Sequence, residues 1–444
     1  MSNSKKGLKI GHYRITPLGL GVLAALIVLV LALVAALIFD PFGGKTDVQK
    51  GAQVSAPSAS PTADPAAEPT ADPTPTPTPA PTPTPAPRSA TIRSLGEIAI
   101  ENDLLKSAYN ADDSTFDFSP MFSDVAAVIG NADYTVADVE GTLGDTAGVS
   151  GQGGKMNTPS ALLSALKDCG VDMMMLANDH ALDGGFAELQ ASIANVTAAG
   201  MDYVGAATSA EERATPVVKD INGIQVGFVA YTETVNGNEK NTDAAAVEYG
   251  VNLVSHSNAV TDIQNARAAG AEVIVAYVSW GNMLERTPTQ NQYKLAQALT
   301  AAGADVIIGY NPHVVQPAYW IEADALDGSG KNRTLCLCAT GNMLSNQRAQ
   351  YADSGIIFEF TIQEQADGTF EIVNPVYIPT YVWRYQTEDS ELYQYRVMPV
   401  GQWIGETEEN IPEGMPYSDY QRMAAVWAEV QSTMGSDVAT IGRE

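Results

Sequence analysis

Asn178-Asp179-His180 ends the apolar run that begins at Met173, and a Gly pair follows at 184–185. The triplet offers an amide, a carboxylate and an imidazole side by side, the groups that hold a divalent metal or a phosphate. Other apolar runs stop in the same way: Glu97, Asp138-Val139-Glu140, Ser279-Trp280, Asn311-Pro312-His313 and Asn342 all fall where a run ends. Each also has a structural reading. Asp179 or Asp183 suits the N-cap of a following helix. His313 suits a hydrogen-bonded structural role, and Trp280 and Met343 suit the core.

Those residues need elements to position them. An apolar run bounded by turn residues reads as a buried strand. Strands are expected at Ile92–Ile100, Tyr134–Val139, Met173–Ala177, Asp202–Gly205, Val273–Val278, Asp305–Ile308 and Leu335–Leu337, and near 356–362 and 370–377. Helices are expected at Ser119–Ala132, with Ser119 as N-cap and Pro120 in the first turn, and from Thr158 to Cys169. Further helices are expected at Phe186–Ala199, Asn258–Ala269, Gln290–Ala302 and Ser418–Met434. Asn222-Gly223 between two apolar runs marks a hairpin. Strands alternating with helices imply a mostly parallel sheet with helices outside, and the hairpin and late strands a second sheet or an antiparallel edge. In a parallel sheet the polar strand ends converge on one rim.

The 444 residues leave room for two ordinary domains or one large one. A formal charge of −28 argues against nucleic acid as a partner, because phosphate contacts need clustered Lys and Arg. Three cysteines are too few for a disulfide framework, and Cys336 and Cys338 read as small buried hydrophobes. Residues 1–16 are basic and read as a cytoplasmic tail. The segment 17–39, apolar from Leu18 to Phe39, matches the roughly 20 residues that span a bilayer and reads as a signal anchor. Everything after it then lies outside a cell membrane crossed once. Residues 40–91, with PTPTPTPAPTPTPAP at their centre, read as an extended spacer. A globular domain is expected at 92–385 and an acidic extension at 386–444.

The order ADVEGTL, LANDHALDGG, AYVSWG, GADVIIGYNPHVVQP, ATGNML resembles the CapA-type capsule-biosynthesis proteins, which are linked to poly-γ-glutamate and belong to the calcineurin-like metallophosphoesterase superfamily. The resemblance covers about 92–380. It implies a four-layer α/β/β/α metallophosphatase-like sandwich with a dinuclear metal site at the rim. It implies membrane-embedded synthesis or export subunits as partners.

The departures from the family pattern bear on that site. Glu97 stands where the family has Asp, Asp138 where it has Asn, and Asp179 where it has a second Asn. Ser279 and Asn311 stand where it has His. The metal ligands that remain in prospect are Glu97, Glu140, Asp179, Asn311 and His313, with His180, His313 and Asp179 as catalytic candidates. Asp138, Asn178, Ser279, Trp280 and Asn342 line the pocket. An oxygen-rich set favours Mn, Mg or Ca over Zn. Three functions follow. The first is a membrane-anchored capsule protein that binds or handles an anionic cell-surface polymer with weak or absent hydrolysis. The second is an active metal-dependent hydrolase of phosphoester or amide bonds, in which His180 stabilises developing charge or protonates the leaving group. The third is a surface interaction module.

Overall fold

The computed structural model describes residues 8–10, 13–15, 86–145, 148–152, 155–254, 258–388, 390–405 and 410–440. The expected span 17–39, nearly all of the spacer and His256 lie outside these residues. Among the described residues no helix is long and apolar enough to cross a membrane. The chain divides into two units, 1–81 and 82–444. In the first, Leu8–Ile10 pairs antiparallel with Tyr13–Ile15.

The second unit begins with parallel strands of one sheet, β1 (Ser89–Ser94), β2 (Tyr134–Asp138), β3 (Met173–Met175) and β4 (Asp202–Val204), adjacent in that order. A second sheet follows: β5 (Val217–Ile221), β6 (Ile224–Thr232), β7 (Val273–Ser279), β8 (Val306–Tyr310), β9 (Val315–Asp324) and β10 (Lys331–Thr340). Its spatial order is β5-β6-β7-β8-β10-β9, parallel from β6 through β8 to β10. The β5–β6 hairpin turns at Asn222 and Gly223, whose φ angles of 52° and 82° are those of a type I′ turn. The chain then returns to the first sheet with β11 (Ser354–Glu364), β12 (Phe370–Gln386), β13 (Tyr393–Pro399) and β14 (Ala439–Thr440). β11 runs antiparallel to β1, β12 to β11 and β13 to β12, while β14 runs parallel to β12.

Period-two patterning distributes the strands over three cores. Met173 and Met175 face between the sheets, against a cluster that includes Phe228, Val275, Tyr277, Ile308 and Leu335. Met174 faces outward onto Leu162, Leu166, Ile193 and Val196 of the flanking helices. Beyond the second sheet, Ile274, Ala276, Ile307, Cys336 and Cys338 pack on Ile263, Ala266, Ala296 and Leu299. The layers are therefore helix, sheet, sheet, helix, the order implied by the resemblance.

Three local expectations change. The helix expected over Ser119–Ala132 is two short ones, Ser119–Phe122 and Ala126–Ile129, and Phe118 holds the N-cap position. The Asp117 carboxylate takes the Ser119 N–H at 2.9 Å, which relieves Ser119 of capping. Gly185, not Asp179 or Asp183, occupies the N-cap of Phe186–Ala198. Within the stretch 386–444, expected as an extension, β13 pairs along β12 in the main sheet. The helix Tyr417–Met434 sends Met423, Val426, Val430 and Met434 into the core between the sheets.

Candidate metal centre

A short parallel pair, Glu97–Ile98 beside Asn342–Leu344, brings two distant rim residues together, Glu97 opposite Asn342. Gly96 permits the approach, since a Cβ there would lie 2.8 Å from Met343 N and 2.9 Å from Gly341 O. Asp138 is the last residue of β2, and Glu140 follows it. Asn178 ties this rim to the next: its Oδ1 accepts the Gly141 and His180 N–H groups, each at 3.1 Å, and its Nδ2 donates to Val139 O at 2.9 Å. After β8 the backbone turns through Asn311 and His313 with φ of 89° and 58°, a left-handed conformation that non-glycine residues adopt under constraint. The constraint is visible: Asn311 N donates to Glu97 Oε2 at 2.7 Å, and Asn311 Nδ2 donates to Trp280 O and Gly281 O.

Glu140 Oε1 lies between the two histidines, 3.1 Å from His180 Nε2 and 4.0 Å from His313 Nε2. Glu97, Glu140 and His313 can bring ligand atoms within 4.8 Å of one another, as can Glu140, Asp179 and His180. Glu140 belongs to both groups. Each histidine is oriented from behind. His180 Nδ1 lies 2.6 Å from Asp183 Oδ2, and Asp183 is itself held by Met156 N and Asn238 Nδ2. His313 Nδ1 lies 3.1 Å from Asn342 Oδ1. Glu97 Oε1 is closer to that nitrogen, at 2.6 Å, and forms an ion pair with the ring when it carries its proton. Asn236 Nδ2 donates to Asp179 Oδ2 at 3.0 Å.

The electrostatics show what the site lacks. Glu97, Asp138, Glu140 and Asp179 converge, and no Lys or Arg among the described residues pairs with them. Burial, then the charges of Glu97, Glu140 and Asp179, push the Asp138 carboxyl well above its ordinary range. Burial and the Glu140 charge raise Asp179 to about 6 against the pull of His180. Burial opposes the imidazolium of His180, yet hydrogen bonds to Asp183 and Glu140 outweigh it and hold the pKa at about 11. Burial opposes His313 too, and the Glu97 carboxylate raises it to about 10. Burial works against a charged Glu140, but the His180 hydrogen bond and the two imidazole charges keep its pKa below the ordinary value. One buried carboxylate oxygen, Asp138 Oδ1, accepts no hydrogen bond, and Glu97 Oε1 faces only the His313 imidazole. A buried acceptor without a donor, in an oxygen-rich set with two imidazoles, fits a divalent cation.

The structure thus brings Glu97, Asp138, Glu140, Asn178, Asp179, His180, Asn311, His313 and Asn342 to one rim. Trp280 departs from its expected place in the pocket. Its indole is buried in the outer core and donates to Cys338 O at 2.8 Å, so only its carbonyl reaches the rim. Asn311, expected as a metal ligand, donates its amide nitrogen to the Trp280-Gly281 turn and its backbone N–H to Glu97, so its carbonyl oxygen is the atom that would ligate. Ser279 is buried at the end of β7, and its carbonyl accepts Glu233 N at 2.9 Å. Three contributors went unselected in the sequence. Asp183 reads there as a cap. Asn236 sits in an ordinary Asn-Gly turn. Glu101 accepts Asn346 N at 2.7 Å, and burial and the Glu140 charge raise it to about 7.

The family model described as bacterial capsule synthesis protein PGA_cap matches residues 91–347, more than half of the chain. Capsule biosynthesis protein CapA of Bacillus anthracis is 27% identical over 154 residues, 35% of this chain and 38% of that protein. PGA biosynthesis protein CapA of Bacillus subtilis (strain 168) is 25% identical over 225 residues, 49% of this chain and 54% of that protein. These alignments span about half, or less, of the length of the curated relatives. Among solved structures, Haemophilus influenzae NAD nucleotidase aligns over 81% of this chain and 65% of that one, with TM-score 0.43 and 8% identity. The calcineurin-like phosphoesterase YfkN of Bacillus subtilis aligns over 77% of this chain and 100% of that one, with TM-score 0.38 and 13% identity.

Proposed function

This chain belongs to the bacterial capsule synthesis protein PGA_cap family, and from that premise we propose that it handles an anionic cell-surface polymer of the poly-γ-glutamate kind, with weak or absent hydrolysis. The supporting observation is the rim of four converging carboxylates, one of them with an orphaned oxygen, that no Lys or Arg among the described residues neutralises. A polyanion meets such a rim, on a chain of net charge −28, only through an intervening cation. Glu97, Glu140 and His313 would hold one cation, and Glu140, Asp179 and His180 a second, with Asp138 beside them. Mn, Mg or Ca suits these donors. Bound there, a divalent cation supplies positive charge for a substrate carboxylate or phosphoryl oxygen. Asn342 and Asp183 fix the two rings, and Asn178 fixes the strand ends that carry the acids.

The domain is proposed to lie outside a cell membrane, anchored through 17–39, held off by the spacer 40–91 and working with membrane-embedded synthesis or export subunits. Metal analysis of the purified protein, with poly-γ-glutamate binding measured before and after chelation, tests the site. Retained metal and binding strongly weakened on chelation but restored by Mn or Ca are expected; binding indifferent to chelation overturns the reading. Protease shaving of intact cells tests the anchor. Release of the region after the spacer is expected, and protection contradicts it.

One observation favours the second reading, an active hydrolase. His180, clamped by Asp183 beside Glu140, has the orientation of a general acid at the site's edge. Metal-dependent turnover of a phosphodiester, abolished in H180A at unchanged melting temperature, would move the assignment to that reading. Loss of the fold in H180A with unchanged specific activity would leave the residue a structural one.

A further inference from the structure

Arginines on this acidic chain are mostly neutralised. Arg93, Arg213, Arg267, Arg396 and Arg422 each hold a carboxylate at 2.5–2.8 Å. Arg348 and Arg384 differ: among the described residues neither has an ion-pair partner. Arg384 Nη1 donates to the neutral Asn346 Oδ1 at 3.2 Å, and its guanidinium lies 4.3 Å from the centre of the Tyr393 ring. Arg348 Nη1 donates to the carbonyl of Val382 at 3.2 Å. The two hydrogen bonds cross between the same two segments, Arg348 reaching from 346–348 to Val382 and Arg384 reaching back to Asn346. Arg348 as a residue remains exposed and Arg384 half-buried, so both can reach a ligand. Asp353, the carboxylate that acts on Arg348, is already held by Arg422, so the two like charges are only partly offset, and an anion that enters beside them is held by charge-assisted hydrogen bonds.

Their position ties them to the rim. Asn346, Gln347 and Arg348 directly follow the rim strand Asn342–Leu344. Asn342, which orients His313, also approaches Gln347 Oε1 at 3.5 Å. Asn346 donates its N–H to Glu101 at 2.7 Å and receives the Tyr395 hydroxyl at 2.8 Å on the same Oδ1 that holds Arg384. Glu101 in turn feels the charges of Glu140 and His313. Arg384 is thus linked through Asn346 to Glu101 beside the candidate metal centre, and Arg348 directly follows Gln347, which Asn342 approaches.

We propose that Arg348 and Arg384 form an anion subsite beside the rim that takes one carboxylate of a polymer chain while the rim takes another. The proposal rests on the reading of the chain as a handler of a carboxylate-bearing polymer. It adds a permanent cationic contact that survives removal of metal. It also sets direction, since the polymer must run from the rim across the 346–348 segment toward β12.

The test uses the full-length protein and poly-γ-glutamate of defined length, with polyphosphate as a second probe, at several salt concentrations. The double variant R348Q/R384Q is expected to bind poly-γ-glutamate about tenfold more weakly than wild type and with a shallower salt dependence. The weak binding left after chelation should disappear in it. R348K/R384K, which keeps the charge but not the planar fork, should fall between, and guards against loss of fold in the double glutamine variant. R333Q removes another arginine without an ion-pair partner among the described residues, stacked at 3.8 Å on Trp320, and should bind as wild type does. If the double variant binds like wild type while chelation still abolishes binding, the subsite is overturned and the proposed function stands. If wild type prefers polyphosphate, the carboxylate assignment is overturned. If it binds neither polymer, the proposed function falls and the subsite with it.

Discussion

Asp183 shows how one side chain can satisfy two local rules and obey only one. Three residues after His180 and just before a helix, it has the sequence position of a cap. The structure spends both its oxygens on His180, Met156 N and Asn238, because a buried imidazole nitrogen without a partner is worse off than a helix end that begins at a glycine. In metal-free protein the His180 imidazolium is expected to persist through neutral pH and titrate near 11, with D183N moving the titration down toward the ordinary 6.5. Following the His180 ring signals by NMR against pH checks this, and an unmoved titration in D183N contradicts it. Glu101 supports a stability prediction. Its pKa of about 7 in the fold exceeds its ordinary 4.5, so between those values the folded chain keeps a proton that the unfolded chain has lost. Stability from this group therefore falls as pH rises through that window. E101Q, still able to accept Asn346 N–H, is expected to be more stable than wild type by about 1–2 kcal/mol above pH 7 in metal-free protein. The two should be equally stable near pH 4. Denaturant unfolding at both pH values decides it.

Elements were legible where their signals were local. The helix Gln290–Ala302 lies where expected because Thr289 and Gln292 form a reciprocal capping box. The hairpin at Asn222-Gly223 needed only its turn residues. Ser119–Ala132 broke because apolar spacing alone does not reveal a turn at 123–125 between two short helices. The pair Glu97–Ile98 with Asn342–Leu344 was invisible, since its partners are far apart in the chain and the backbone contact at Gly96 joins them. G96A is expected to be destabilised by about 1–3 kcal/mol and to bind metal more weakly, because Glu97 moves with its strand. Thermal unfolding and metal titration test this together; a variant with native stability and affinity would show that the pair tolerates displacement.

For the whole molecule, the decisive feature is one core between two sheets, closed from the C-terminal side by the helix Tyr417–Met434. Deleting residues 417–440 exposes the surfaces that Met423, Val426, Val430 and Met434 cover. Loss of cooperative thermal unfolding is expected from the truncated protein. An unchanged transition would make the helix an accessory. The same packing sets the site, since strands of the two sheets approach one rim and bring Glu140 within reach of both His180 and His313.

Sequence alone determined the local facts: which runs are strands, which polar residues end them, and that the donors are richer in carboxylates than the family pattern. These are legible because periodicity, caps and turns act over a few residues. Only the tertiary structure decided that Glu140 is shared by two ligand groups, that Trp280 turns into the core, and that Arg348 and Arg384 lie on neighbouring segments with no ion pair among the described residues. Those outcomes depend on strand order and on which buried charge finds a partner, and both are set by contacts between residues remote in the chain.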